Sequence, residues 1–68
     1  MSLWGEIGSA AGAAYGVLEA EGKQVTFGSL KKKTKLDDVM LALALGWLAR
    51  EDKVALDKKG RTISACLK

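Results

Sequence analysis

The sequence predicts an α+β domain: three helices and a small antiparallel wing sharing one core. Three observations carry that expectation. Apolar residues recur at three-and-four spacing in two segments, near residues 3–21 and 37–51. The second segment ends in a charged break, Arg50 to Lys53, and alternation follows at once in Val54–Asp57 and Arg61–Leu67 around Lys58-Lys59-Gly60. With 68 residues, 49% of them hydrophobic, the chain has room for one domain, residues 1–68. A chain this short buries roughly 60% of its unfolded surface, so its core must be dense. Only Trp4, Tyr15, Phe27 and Trp47 are aromatic. Leu, Val and Ala must therefore do most of the filling.

The first helix is expected over Ser2 to Glu21. Leu3, Ile7, Ala10, Ala14, Val17 and Leu18 define its apolar face. Glu6 suits the positive N-terminal end of a helix, and Gly22 is a natural C-terminal stop. Gly8, Gly12 and Gly16 recur every four residues, with Gly5 and Ala20 near the same stripe. Each interior glycine costs about 0.8–1 kcal/mol against Ala, so the stripe suggests another backbone approaching closely. Two readings stay open: packing against a later helix of the same chain, or a seam for self-association.

Gln24-Val25-Thr26 is β-prone and suits a short first strand pairing with the wing. Phe27 to Thr34 reads as a second helix with Phe27, Leu30 and Thr34 turned inward and Thr26 or Ser29 as its cap. A tight turn at Lys35-Leu36 follows. Asp37 and Asp38 open a third helix, where carboxylates accept hydrogen bonds from free backbone N–H groups. That helix runs to about Glu51. Helix, short strand, helix, turn, helix, strand, turn, strand is the order of a compact winged helix-turn-helix.

At this point the chain resembles a family of small single-domain winged helix-turn-helix proteins from bacteria and archaea whose function is unassigned. The carriers are Ile7-Gly8 with Ala11-Gly12, Leu30 to Leu36 around the turn, and above all Leu45-Gly-Trp-Leu-Ala-Arg-Glu51 with Lys53-Val54. The resemblance covers almost the whole chain. It supports the fold, and it implies nucleic-acid binding by analogy with the wider superfold.

Composition narrows the chemistry. There is no His, so the commonest general base and any Cys/His zinc site are absent. One cysteine, Cys66, excludes an internal disulfide framework and suits a cytoplasmic setting. Its alternating neighbours make it a buried small hydrophobe in the last strand. Adjacent helical residues point about 100° apart, so Asp37/Asp38 and Glu51/Asp52 form no facing acid/base dyad. No enzyme and no cofactor is expected. The apolar stretch Leu3 to Ala20 carries Glu6 and Glu19 and much Gly and Ala, so it reads as neither export signal nor membrane span.

The formal charge of +3 is a mild bias toward acidic partners. Lys31, Lys32, Lys33 and Lys35 surround the turn; Lys58, Lys59 and Arg61 cap the wing. Three consecutive lysines fan around a helix, so Lys32 and Lys35, with Lys33 beside them, are the turn's candidate DNA or RNA contacts. Lys58, Lys59 and Arg61 are the wing's. These would grip phosphates with little base readout, and the expected role is transcription regulation. Simple solvation of the same lysines is the competing explanation.

The third helix lacks the usual base readers. Leu41, Ala44, Leu45 and Leu48 share one face and suit the core. The other face holds Leu36, Val39, Leu43 and Arg50, flanked by Met40 and Trp47. Val39, Met40, Leu43 and Trp47 are therefore candidate contacts for a protein partner or a homodimer, the alternative function, unless intramolecular packing consumes them. Trp47 reads as a core or interface anchor, and Trp4 as the same with partial exposure.

Overall fold

A computed structural model describes residues 3–68. Its elements follow the expected order: α1 (Leu3–Glu21), β1 (Val25–Thr26), α2 (Phe27–Thr34), α3 (Asp38–Arg50), β2 (Val54–Lys59) and β3 (Thr62–Leu67). The expected first helical residue, Ser2, lies outside the described residues. The strands form one antiparallel sheet in the order β1-β3-β2, so the short first strand pairs with the second strand of the wing, Val25 opposite Ala65.

Local chemistry sets the helix ends. Gly22 adopts φ 65°, and its N–H reaches the Leu18 carbonyl at 3.0 Å, which closes α1 with a left-handed residue. Thr26 caps α2 by accepting from the Ser29 N–H at 3.3 Å. The Thr34 hydroxyl donates back to the Leu30 carbonyl and accepts from the Leu36 N–H, so it serves both the helix end and the turn. Asp37 caps α3, its Oδ1 accepting from the Met40 N–H at 2.7 Å. Beyond α3, Lys53 N–H reaches the Leu48 carbonyl and Asp52 N–H the Ala49 carbonyl, a Schellman pairing with Asp52 left-handed at φ 62°.

The core lies where α1 crosses α3 and where both meet α2 and the sheet. Leu18, Leu30 and Leu41 are its largest fully enclosed side chains. Ala10, Ala11 and Ala14 of α1 are buried with Ala44 of α3, and such small side chains let the two helices approach closely. The expected inward face of α3, Leu41, Ala44, Leu45 and Leu48, is buried throughout. Of the expected inward residues of α2, Leu30 is buried, while Phe27 and Thr34 are half-buried. Val25, Val54 and Ala65 carry the core onto the sheet.

Two expectations need correction, and one open reading is narrowed. The hairpin turn falls later than Lys58-Lys59-Gly60. Lys59 pairs with Thr62, leaving Gly60 and Arg61 as the two-residue loop. Gly60, at φ 60°, supplies the positive φ that such turns demand at their first central position, so pairing continues through both lysines. Cys66 is half-buried rather than buried. It is next to Ala65, which faces the core, so the pleat turns Cys66 to the sheet's other side. Finally, the glycine stripe of α1 does not pack inside the chain. A Cβ built at Gly5, Gly8, Gly12 or Gly16 would meet nothing within 4 Å.

Candidate nucleic-acid interface

The turn and wing sites begin with local geometry. Lys35 is the left-handed C-cap of α2, at φ 60°, and its N–H bonds the Lys31 carbonyl at 2.9 Å. That conformation ends the helix within one residue and leaves only Leu36 and Asp37 before α3. The lysines of α2's last turn sit at the negative end of the helix, where cations are favoured. All of Lys31, Lys32, Lys33 and Lys35 are exposed.

Ion pairing divides this cluster. Lys31 Nζ lies 2.7 Å from Asp38 Oδ1, across the turn. Lys33 Nζ lies 2.9 Å from Glu21 Oε2, at the end of α1. The hydrogen bond from Lys33, and then its charge, hold the Glu21 carboxyl below its ordinary value. Among the described residues Lys32 and Lys35 make no ion pair. The expected pair Lys32 and Lys35 is thus left as the turn's available charge, whereas Lys33 is engaged with α1.

On the wing, Lys58 and Lys59 end β2, opposite Ile63 and Thr62 of β3. They project to opposite faces of the sheet, as successive strand residues must. Arg61 occupies the second position of the tight turn. All three are exposed and, among the described residues, none makes an ion pair.

Arg61 connects the wing to the helices. With Thr62 and Ile63 it lines an open groove of about 490 Å³ whose other walls are Phe27 and Gly28 of α2 and Asp38 and Ala42 of α3. The wing tip therefore sits against the starts of both helix-turn-helix helices. Asp38 lies in that groove, and its pairing with Lys31 offsets the negative charge it brings.

The outer face of α3 offers little to a base edge. Val39 is 70% exposed, Leu43 40% and Trp47 38%. Met40 is half-buried and lines a different groove, with Leu36 of the turn and Gly5, Ser9 and Ala13 of α1. Trp47 stands beside Gly8, Gly12 and Tyr15 of α1. Of the four expected interface residues, Met40 and Trp47 thus line different grooves against α1, while Val39 and Leu43 are exposed on α3. Trp4 and Leu3, at the start of α1, are also largely exposed. Glycine spacing pointed to a special surface on α1, but spacing alone could not show whether that side of the helix was covered.

Among the described residues, no three His, Cys, Asp or Glu side chains lie together as a metal site. Among the described residues, no helix is long and apolar enough to cross a membrane.

Three helices with the second and third joined by a tight turn, followed by a β-hairpin wing against them, define a winged helix-turn-helix domain. The chain belongs to the family described as winged helix-turn-helix domain (DUF2582), whose model matches residues 2–67. It is also similar to Uncharacterized protein MJ1608 of Methanocaldococcus jannaschii, 38% identical over 61 residues, which cover 84% of this chain and 87% of the relative. No solved structure matches it.

Proposed function

We propose that this protein binds nucleic acid through phosphate contacts from the turn and the wing, and that it acts in transcription regulation in the cytoplasm. The observation that carries this reading is that five of the seven exposed cations without an ion pair among the described residues lie on the turn and the wing: Lys32, Lys35, Lys58, Lys59 and Arg61, with only Lys23 and Arg50 elsewhere. These five sit on the two elements that flank the start of α3. Lys33 joins them when it exchanges Glu21 for a phosphate, at the cost of one surface ion pair.

Such binding depends on charge more than on sequence. The α3 face presents aliphatic side chains where Arg, Asn or Gln would read base edges, and Asp37 and Asp38 crowd its N-terminus. Five phosphate contacts on duplex DNA give a slope of log affinity against log salt of about −4.5. Fluorescence anisotropy with a labelled duplex and a labelled single strand, across a salt series, measures that slope. The double variant Lys58→Glu/Lys59→Glu abolishes binding at physiological salt if the proposal holds. Equal affinity for this variant and the wild type refutes it.

A further inference from the structure

We propose that a second copy of this chain covers the face where α1 crosses α3, centred on Gly8 and Gly12 of α1 and on Leu43 and Trp47 of α3. This surface is separate from the turn and wing lysines and does not depend on their role.

Shape is the first argument. Trp4, Gly8 and Gly12 follow one another at i, i+4 spacing along α1, and Val39, Leu43 and Trp47 do so along α3, so each set shares a helix side. Trp47 borders a groove of about 250 Å³ walled by Gly8, Ala11, Gly12 and Tyr15 of α1 and closed at the end of α3 by Leu48, Glu51 and Lys53. Trp4 is 73% exposed. The glycines meet open space, and so does Gly46 on the outer side of α3. Nothing inside the chain accounts for a side-chain-free stripe bordered by exposed tryptophan and leucine. A surface that carries both large knobs and bare backbone is complementary to itself. Two-fold pairing, the commonest arrangement of soluble oligomers, requires that property.

Charge is the second argument. The turn and wing, with their excess of lysines, would repel a second copy. The α1–α3 face instead carries Glu19 on the glycine side of α1 and Arg50 beside Trp47, both exposed and, among the described residues, without an ion pair. One acid and one base on the same patch can pair reciprocally across a two-fold axis. A membrane surface would call for a rim of lysines; the one lysine of this groove, Lys53, lies 3.7 Å from the Glu51 carboxylate, which offsets its charge.

Area is the third argument. At 1.5 Å per residue, α1 is about 28 Å long and α3 about 20 Å. Their joint outer face offers on the order of 500 Å² per copy, which brings a pair to about the 1,000 Å² of a small specific interface. The expected dimer is therefore concentration-dependent rather than permanent.

Sedimentation velocity on the full chain, from low micromolar to millimolar concentration, tests this. The wild type shifts from monomer to dimer across that range. Gly12→Arg adds bulk and charge where the chain itself has open space, and arginine favours a helix more than glycine does. It stays monomeric, with the dissociation constant raised on the order of tenfold or more, while circular dichroism and thermal midpoint show a fold at least as stable as wild type. Leu43→Asp, on the other helix, gives the same loss of dimer and guards against an unexpected folding defect in the first variant. A wild type that remains monomeric at millimolar concentration overturns the proposal, as does a wild-type dissociation constant in both folded variants.

Discussion

Lys33 Nζ lies 2.9 Å from Glu21 Oε2, tying the last turn of α2 to the end of α1. Twelve residues separate the two in sequence. The contact takes one lysine of the basic cluster out of the charge available at the turn. It also makes the stability of the helical layer depend on pH.

That dependence has a definite sign. The folded state lowers the Glu21 pKa, so the pair contributes while Glu21 is ionised. The contribution is present above the unfolded-state carboxylate pKa and is lost as pH falls through the lower folded value. Glu21→Gln should remove this part of the pH dependence without changing the fold, measured by thermal midpoints from neutral to acidic pH. The same variant frees Lys33 and should tighten nucleic-acid binding at low salt. Unchanged pH dependence in Glu21→Gln would show that the pair contributes nothing.

Lys35 couples stability and binding in opposite directions. A non-glycine residue in the left-handed region costs about 1–2 kcal/mol, and Lys35 holds φ 60°. Lys35→Gly should stabilise the domain by about 1 kcal/mol, raising its thermal midpoint by about 4–8 °C. It should also flatten the salt dependence of binding by about one phosphate contact. Calorimetry and anisotropy on one preparation measure both effects, and loss of stability would contradict the strain argument.

Core and outer positions of α3 should respond very differently to truncation. Leu41 is fully enclosed, and Leu41→Ala should cost about 2–5 kcal/mol, a large share of what so small a domain possesses. Val39 is mostly exposed, and Val39→Ala should change monomer stability by less than about 0.5 kcal/mol. Urea unfolding at low protein concentration provides the comparison. Similar losses for the two would mean that the outer face of α3 is covered as well as the inner one.

Spacing made most of the architecture legible. The burial of Leu41, Ala44, Leu45 and Leu48 follows from helical periodicity, and Asp37 and Gly22 marked helix ends by their chemistry. The wing turn was displaced by one residue because Lys58 and Lys59 look like turn residues, although only Gly60 satisfies the backbone requirement. The glycine stripe was ambiguous for a deeper reason. Periodicity shows that Gly8, Gly12 and Gly16 lie near one another but not whether that side is covered, and Ala10, Ala11 and Ala14 took the inner positions. The Lys33–Glu21 pair was invisible because it depends on how the end of α1 meets α2. The turn and wing lysines could be placed on their elements, yet which of them remain unpaired is a property of the folded chain.

The most direct test of the central claim is a titration of isotope-labelled protein with a short duplex, followed residue by residue by two-dimensional NMR at low and at high salt. The account predicts chemical-shift changes at Lys32, Lys35, Lys58, Lys59 and Arg61 that vanish at high salt, with the glycines of α1 undisturbed. No shifts at low salt, or shifts confined to α1 and the outer face of α3, would contradict it.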